Sequence, residues 1–192
     1  APDAPRLSSF LGSWEENQYA NDVFGISINI PADWTLQRSD FEAFQKMSLD
    51  ATAGNDPKLR REFEAAQRRS VTVLKASILP PFTPGKPNAN IIASVEDVGD
   101  LDEIRDGRDY LNQVEDSLRH TNVSFQIQGS AQETNLGQGK FHKLEYVTVV
   151  NGVRVNGLLY ARVVDDVVFL ITSSYFLQEH RELIEDILQE SN

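Results

Sequence analysis

Cysteine is absent from this chain of 192 residues. Without a thiol the protein cannot form disulfides, thiolate metal sites or a cysteine nucleophile. Long hydrophobic runs are absent too, since no segment approaches the roughly 20 apolar residues that a transmembrane helix needs. The sequence therefore excludes thiol chemistry and predicts no transmembrane segment.

Positive charge is scarce, because 18 Lys and Arg residues face 29 Asp and Glu residues, which gives a formal net charge of −11. Such a balance opposes non-specific binding to nucleic acid and docking on anionic lipid. We therefore expect no nucleic-acid partner. Hydrophobic residues make up 40% of the chain, which is enough to build one domain with an ordinary core.

Recognisable catalytic patterns are also missing, since neither G-x-S-x-G nor H-E-x-x-H occurs. The stretch 137–140 reads GQGK, but it lacks the phosphate-loop pattern and precedes a predicted strand, so we predict a hairpin turn there. His120, His142 and His180 lie far apart in sequence and indicate structural or surface roles. We predict no catalytic residue, no enzyme activity and no cofactor.

The chain divides into a short arm and one domain. Residues 1–12 are rich in proline and predict a flexible N-terminal arm, whereas residues 13–192 predict a single domain. Within that domain, residues 39–69 predict a helical segment. It opens with Ser39 and Glu42 in capping-box spacing and continues, after Pro57, as an amphipathic helix over 57–69.

The stretch 19–34, which reads YANDVFGISINIPADW, predicts a β-hairpin. Asn21, Asp22 and Gly25 supply turn chemistry. Alternating apolar residues from Phe24 to Ile30 then indicate a strand with one buried face. Residues 14–20 can pair back against this strand, and Pro31 suits its end.

The remaining chain predicts a largely antiparallel architecture. Asn151-Gly152 is a strong type I′ hairpin signal between two long apolar strands. The predicted strands are 70–79, 91–98, 123–134, 140–150, 153–164 and 167–172, and the predicted helices are 102–119 and 176–188. An α+β domain, with an antiparallel β-sheet and helices packed on both faces, buries these apolar stripes most simply.

The opening stretch and this element order resemble the PsbP-like fold family, in particular its uncharacterised exported bacterial members. The resemblance is carried by Tyr19, Asn21, Phe24-Gly25-Ile26, Pro31-Ala32-Asp33-Trp34, Thr172-Ser173-Ser174 and the acidic helix over 176–190. It implies an α/β/α sandwich, no intrinsic enzyme activity, and a binding or accessory role. It transfers no catalytic residue.

Export is the expected localisation. The sequence begins Ala1-Pro2-Asp3 without an initiator Met, as a mature end does after signal-peptide cleavage, although a trimmed chain would look the same. We expect a secreted or periplasmic protein.

A basic helix face is the first candidate binding site. Its candidate residues are Arg60, Arg61, Arg68 and Arg69. In an acidic chain such a face can bind an acidic protein partner, but such a run is more often a solvated face paired with local glutamates. The proline-rich loop over 80–90 is a second candidate, because long interior loops are often functional.

An acidic run is the candidate cation site. Its weak candidate ligands are Asp97, Asp100, Asp102 and Asp106. Ca²⁺ prefers several oxygen ligands from such loops, and Mn²⁺ takes similar ligands. The spacing is not that of an EF-hand, and helix capping explains the same residues without a metal.

The sequence thus predicts a non-enzymatic exported accessory protein or partner-binding protein. The alternative is a carrier of a small ligand or of a metal ion such as Ca²⁺ or Mn²⁺, and an unrecognised enzyme is a third reading. A deep pocket with converging polar groups would favour a carrier or an enzyme. A shallow, patch-like surface would favour a protein partner.

Overall fold

The computed structural model describes residues 7–37, 57–58, 60–61, 69–81, 83–121 and 123–190. A short 3-10 helix, Ser8–Phe10, opens the described part. The strands are β1 (Ser13–Glu15), β2 (Gln18–Asn21), β3 (Ile26–Asn29), β4 (Thr35–Leu36), β5 (Ser70–Ser77), β6 (Asn90–Asp97), β7 (Phe125–Leu136), β8 (Gly139–Val150), β9 (Val153–Val164) and β10 (Val167–Tyr175). The helices are α1 (Gly107–Arg119) and α2 (Gln178–Gln189).

The strands form two antiparallel sheets. A small sheet has the order β1-β2-β3, and a seven-stranded sheet has the order β4-β5-β6-β10-β9-β8-β7. The predicted α+β class is confirmed, since the described residues are mostly antiparallel sheet with helices added.

Alternation along the central strands separates two apolar cores. On β9, Leu158 and Tyr160 belong to the first core, whereas Leu159 and Ala161 belong to the second. Successive side chains of a strand point to opposite faces, so both faces of the large sheet are buried at this strand. The first core includes α2 through residues such as Ile184, and the second includes α1 through Tyr110 and Leu111.

The predicted opening hairpin is confirmed and packs on the first core. Tyr19 and Phe24 are fully buried, and their rings lie 6.0 Å and 5.1 Å from the ring of Phe169 on β10. Arg162 Nη1 on β9 donates a hydrogen bond of 2.7 Å to the carbonyl oxygen of Phe24. The turn therefore fixes the small sheet against the large one.

The N-terminal boundary differs from the prediction. Residues 7–12 were expected in a flexible arm, but Leu7 and Phe10 are buried in the first core. Tyr19 Oη donates to the carbonyl of Leu11, and Asn21 Nδ2 donates to that of Phe10. The apolar residues at 7 and 10 outweigh the polar, proline-rich composition from which the arm was predicted.

Helix α1 begins later than predicted. A start near residue 102 was expected, but Asp106 is the N-cap residue, and its side chain accepts hydrogen bonds from the backbone of Arg108 and Asp109. The preceding residues turn instead, with Leu101 N donating to Val98 O and Ile104 N to Leu101 O. The predicted hairpin turn at 137–140 is confirmed between β7 and β8.

Most of the predicted helical segment at 39–69 lies outside the described residues. Residues 57–58 and 60–61 are helical. The capping-box residues Ser39 and Glu42 belong to the part that is not described.

Candidate functional site

Two of the four acidic candidates, Asp97 and Asp106, serve local backbone structure. Asp97 Oδ1 accepts a hydrogen bond of 2.9 Å from the backbone of Gly99. Burial raises the pKa of Asp106, but backbone hydrogen bonds from Asp109 and Arg108 outweigh it and lower that pKa below its ordinary value. Over the described ranges, no group of three or more His, Asp or Glu side chains is arranged to hold a metal ion.

A shallow acidic groove nevertheless lies beside this loop. Its volume is about 560 Å³. Three carboxylates line it, namely Asp102, Asp165 and Asp166, and one guanidinium, that of Arg105. The rest of the lining is Gly99 and the apolar side chains of Val98, Leu101, Ile104 and Val163. Asp100 is exposed and does not line this groove.

The basic candidates are divided between different environments. Arg61 is exposed, and its Nε donates to the carbonyl of Pro57 at 3.1 Å. Arg60 is half-buried. Arg69 Nη2 lies 3.9 Å from the carboxylate of Glu96 on β6, so this guanidinium is directed into the domain. Arg68 lies outside the described residues.

The three histidines lie in separate places, as their spacing suggests. His120 is exposed at the C-terminus of α1, where its Nδ1 lies 2.7 Å from the carbonyl oxygen of Asp116. His142 is half-buried on β8 near the start of α1. His180 is buried on α2.

Helix α2 is held on the sheet by apolar contacts and by a charged network. Ile184, Ile187 and Leu188 are buried in the first core. Arg181 Nη2 lies 2.7 Å from Glu145 Oε1 on β8 and 3.3 Å from Glu185 Oε1 on its own helix. The network thus ties two successive turns of α2 to one strand.

Lys143 completes this network and leaves it neutral. Its Nζ lies 2.9 Å from Glu145 Oε1 and 2.8 Å from Glu185 Oε1. Burial raises the pKa of both carboxyls, but hydrogen bonds from Lys143 and Arg181 outweigh it and lower the pKa of each below its ordinary value. Two cations balance two anions, so this charged cluster orients α2 and presents no net charge.

The opposite side of α2 borders a groove, which we name the α2 groove. Its volume is about 400 Å³. It is lined by Ile78 after β5 and by Glu179, His180, Glu182, Leu183 and Asp186 of α2. The lining therefore mixes aliphatic side chains, carboxylates and one imidazole, and no Lys or Arg of the described residues lines the groove.

Three apolar side chains in α2 or just before it are exposed. Phe176 and Leu177, just before the helix, are 37% and 39% exposed, and Leu183 is 45% exposed. The apolar spacing within the predicted helix 176–188 puts Phe176 and Leu183 on the same face as Ile184, Ile187 and Leu188, but the structure exposes both. Because α2 begins at Gln178, Phe176 lies before the helix, and the buried stripe follows His180, Ile184 and Ile187 instead.

His180 is the unusual polar group of the α2 groove. Its side chain is only 8% exposed, and its Nδ1 is buried without a hydrogen-bond partner in the described part of the chain. Buried polar atoms normally have a partner, since leaving one unpaired costs about 1–3 kcal/mol. The histidine is therefore a group that a bound molecule could satisfy.

The sequence did not predict the α2 groove. The signal that could have found it is the acidic set at i, i+3 and i+7 (Glu179, Glu182 and Asp186) with Leu183 at i+4, which places an apolar side chain on a charged helix face. Ile78, the residue that closes the groove from the sheet, carries no such signal because it is remote in sequence.

Comparisons with known proteins identify no family. No family model matches the chain, and no curated protein matches it. Among the described residues, no helix is both long enough and apolar enough to cross a membrane.

Several solved structures are similar at low identity. LpqN of Mycobacterium tuberculosis, which is involved in cell envelope biogenesis, is 16% identical, with 86% of this chain and 80% of that chain covered at a TM-score of 0.46. Cyanobacterial PsbP of Synechocystis is 11% identical, with 93% of each chain covered at a TM-score of 0.46. A Pseudomonas aeruginosa protein of unknown function, a putative regulator, is 17% identical, with 63% and 78% covered at 0.44. With TM-scores this low, the likenesses carry no argument about function.

Proposed function

We propose that this chain is a non-enzymatic exported accessory protein that binds a protein partner through the α2 groove. We further propose that it is an α/β/α sandwich of the PsbP-like type. The observation that carries the binding role is the exposed Leu183 in an open groove, with two further exposed apolar residues, Phe176 and Leu177, just before the same helix. Exposed apolar side chains that cluster at one place are typical of interaction surfaces.

The groove has the dimensions of a docking surface for side chains of a partner. Its volume of about 400 Å³ accommodates a few side chains. Its base is rigid, because α2 is fixed to β8 by the network of Arg181, Lys143, Glu145 and Glu185. A preformed surface loses less conformational entropy when a partner binds.

Photocrosslinking from Leu183 tests this proposal. A photoreactive amino acid at position 183, in the protein expressed in its source cells, is expected to give one discrete crosslinked partner. The matched control places the same residue at Val149, which is similarly exposed, at 49% against 45%, but lies on the β8–β9 hairpin. A partner that crosslinks equally from both positions, or from neither, contradicts binding through the α2 groove.

A carrier of a small ligand or a metal ion is the second candidate function. The observation that favours it is the acidic groove beside α1, whose volume of about 560 Å³ falls in the range of small-ligand sites. Calorimetric titration with Ca²⁺ and with Mn²⁺ tests the metal form of this candidate. Binding heat that disappears in Asp102→Asn/Asp166→Asn supports it, and titrations without heat exclude it.

A further inference from the structure

We infer that the α2 groove receives a basic amphipathic segment of a protein partner, with Lys or Arg side chains on its carboxylates and an apolar side chain on Leu183 and Ile78. This inference rests on the proposed function, because it names the chemistry of the partner that the groove binds.

The charge of the groove selects a cation. Glu179, Glu182 and Asp186 are exposed and lie on the same side of α2. Arg181, the basic residue within this stretch, is turned away and bonded to Glu145 and Glu185. The outward face of the helix therefore carries negative charge that forms no ion pair with the side chains of the described residues, and complementary charge attracts and orients a partner.

The apolar part of the groove selects a segment with an aliphatic side chain as well as a cation. Leu183 lies between Glu179 and Asp186, one turn from each along the helix, and Ile78 lies across the groove. A small inorganic cation would leave both aliphatic side chains exposed. A basic amphipathic segment covers them and pairs with the carboxylates, which is the pattern of helix-in-groove recognition.

His180 supplies an independent reason to expect a ligand here. It is more than nine-tenths buried, it lines the groove, and its Nδ1 has no partner in the described residues. A Lys or Arg side chain carries only hydrogen-bond donors, and a neutral imidazole nitrogen is an acceptor. Because Nδ1 is itself shielded from solvent, the imidazole ring must turn toward the groove before a cationic side chain of the partner can donate to it.

Binding of defined peptides tests the inference. The probe is a synthetic amphipathic peptide of Lys and Leu, and its matched controls are a Glu/Leu peptide and a Lys/Ser peptide of equal length. Calorimetry or fluorescence anisotropy is expected to show that the Lys/Leu peptide binds at least about tenfold more tightly than either control. Affinity should fall as salt rises, because exposed ion pairs are screened.

Two triple variants locate the peptide on the protein. The variant Glu179→Gln/Glu182→Gln/Asp186→Asn should bind the Lys/Leu peptide about tenfold more weakly, since each exposed ion pair contributes up to about fivefold to the affinity. The control Glu103→Gln/Asp116→Asn/Glu133→Gln removes three exposed carboxylates elsewhere and should leave affinity within about twofold. Equal weakening in both triples would mean that only the net charge of −11 attracts the peptide, which overturns the inference.

A third variant tests the histidine. His180→Leu should weaken the peptide several-fold while the thermal midpoint of unfolding stays the same or rises, because the unpaired buried nitrogen is removed. Unchanged affinity overturns the role given to His180.

A small amine is the competing occupant. If 1,5-diaminopentane binds as tightly as the peptide, the groove is a site for a small molecule, and the inference of a docking segment is overturned. A further outcome is that crosslinking from Leu183 yields a partner that binds the groove variant Glu179→Gln/Glu182→Gln/Asp186→Asn and the control triple variant with equal affinity. That result would overturn the inference that the partner segment is basic, and it would leave the proposed docking at the α2 groove intact.

Discussion

At the scale of single residues, the most unusual buried group is Glu96 on β6. Tyr110 of α1 donates a hydrogen bond of 2.6 Å to Glu96 Oε2, and the Arg69 guanidinium lies 3.9 Å from Oε1. Burial raises the pKa of Glu96 above its ordinary value, and the hydrogen bond and the arginine offset this only in part. The folded protein therefore favours the protonated carboxyl over the ionised one, relative to the unfolded chain.

The sign of this shift gives a prediction for Glu96→Gln. A raised pKa contributes stability that is present below the ordinary glutamate pKa and is lost as pH rises through the folded value. The amide stays neutral and still accepts from Tyr110, so the variant should gain stability relative to wild type between about pH 3.5 and about pH 7. Urea unfolding at both pH values measures this. A variant that is less stable than wild type at neutral pH would show that the attraction of Arg69 for the ionised carboxylate outweighs the effect of burial on the pKa of Glu96.

Gly157 gives a second prediction at this scale. It pairs with Tyr146 across β9 and β8, and a Cβ at 157 would lie 2.0 Å from Tyr146 Cζ. Overpacking of this kind costs about 1–3 kcal/mol, so Gly157→Ala should lower the free energy of unfolding by about that amount. In a Tyr146→Ala background the same change should cost at least about 1 kcal/mol less. Equal costs in both backgrounds would mean that the ring is not the obstacle.

Individual residues also show where sequence reasoning ends. By sequence alone, Asn156-Gly157 also fits a bulge or a competing turn. In the structure β9 continues through both residues, because the glycine makes room for a tyrosine on the neighbouring strand. Likewise, Leu7 and Phe10 were assigned to an arm by local composition. The course of β9 and the burial of Leu7 and Phe10 both depend on contacts with residues elsewhere in the chain, which local patterns do not encode.

At the scale of elements, the position of α2 depends on the charged network with β8. The pKa of Glu145 and that of Glu185 are lowered, because hydrogen bonds from Lys143 and Arg181 outweigh the effect of burial. A depressed pKa contributes stability that is present above the ordinary glutamate pKa and is lost as pH falls through the folded value. This sign is opposite to that of Glu96.

The double variant Glu145→Gln/Glu185→Gln should therefore be less stable than wild type at neutral pH, and the difference should shrink as pH falls below about 4. Thermal unfolding monitored by circular dichroism, repeated across this pH range, measures the difference. Glu115→Gln/Glu133→Gln is a control that removes two carboxylates from other elements. A difference that does not change with pH would show that the pairs do not hold α2.

The elements themselves were largely predictable, and their partners were not. Alternation and the Asn151-Gly152 turn predicted β8 and β9 to within a residue, since hairpins are local structures. The pairing of β10 with β6 joins strands that are separated by α1 and three other strands, and no local signal specifies it. The α1 start was missed because several acidic residues could cap a helix, and packing selected Asp106.

At the scale of the whole molecule, charge is distributed unevenly around α2. The side of the helix that faces the sheet carries balanced charges, whereas the side that faces the α2 groove carries three carboxylates around Leu183. The sequence predicted a binding protein without a catalytic centre, and its candidate binding residues were arginines on the basic helix. It could not locate the α2 groove, because the two walls come from β5 and α2 and meet only in the folded chain.

Binding of the partner identified by crosslinking, measured with purified components, tests the central claim most directly. Wild type and the control Val149→Asp should bind it with the same affinity, whereas Leu183→Asp should bind at least about tenfold more weakly, because it buries a charge on the groove floor. Circular dichroism verifies that all three proteins are folded. Equal affinity of Leu183→Asp and wild type would contradict partner binding through the α2 groove.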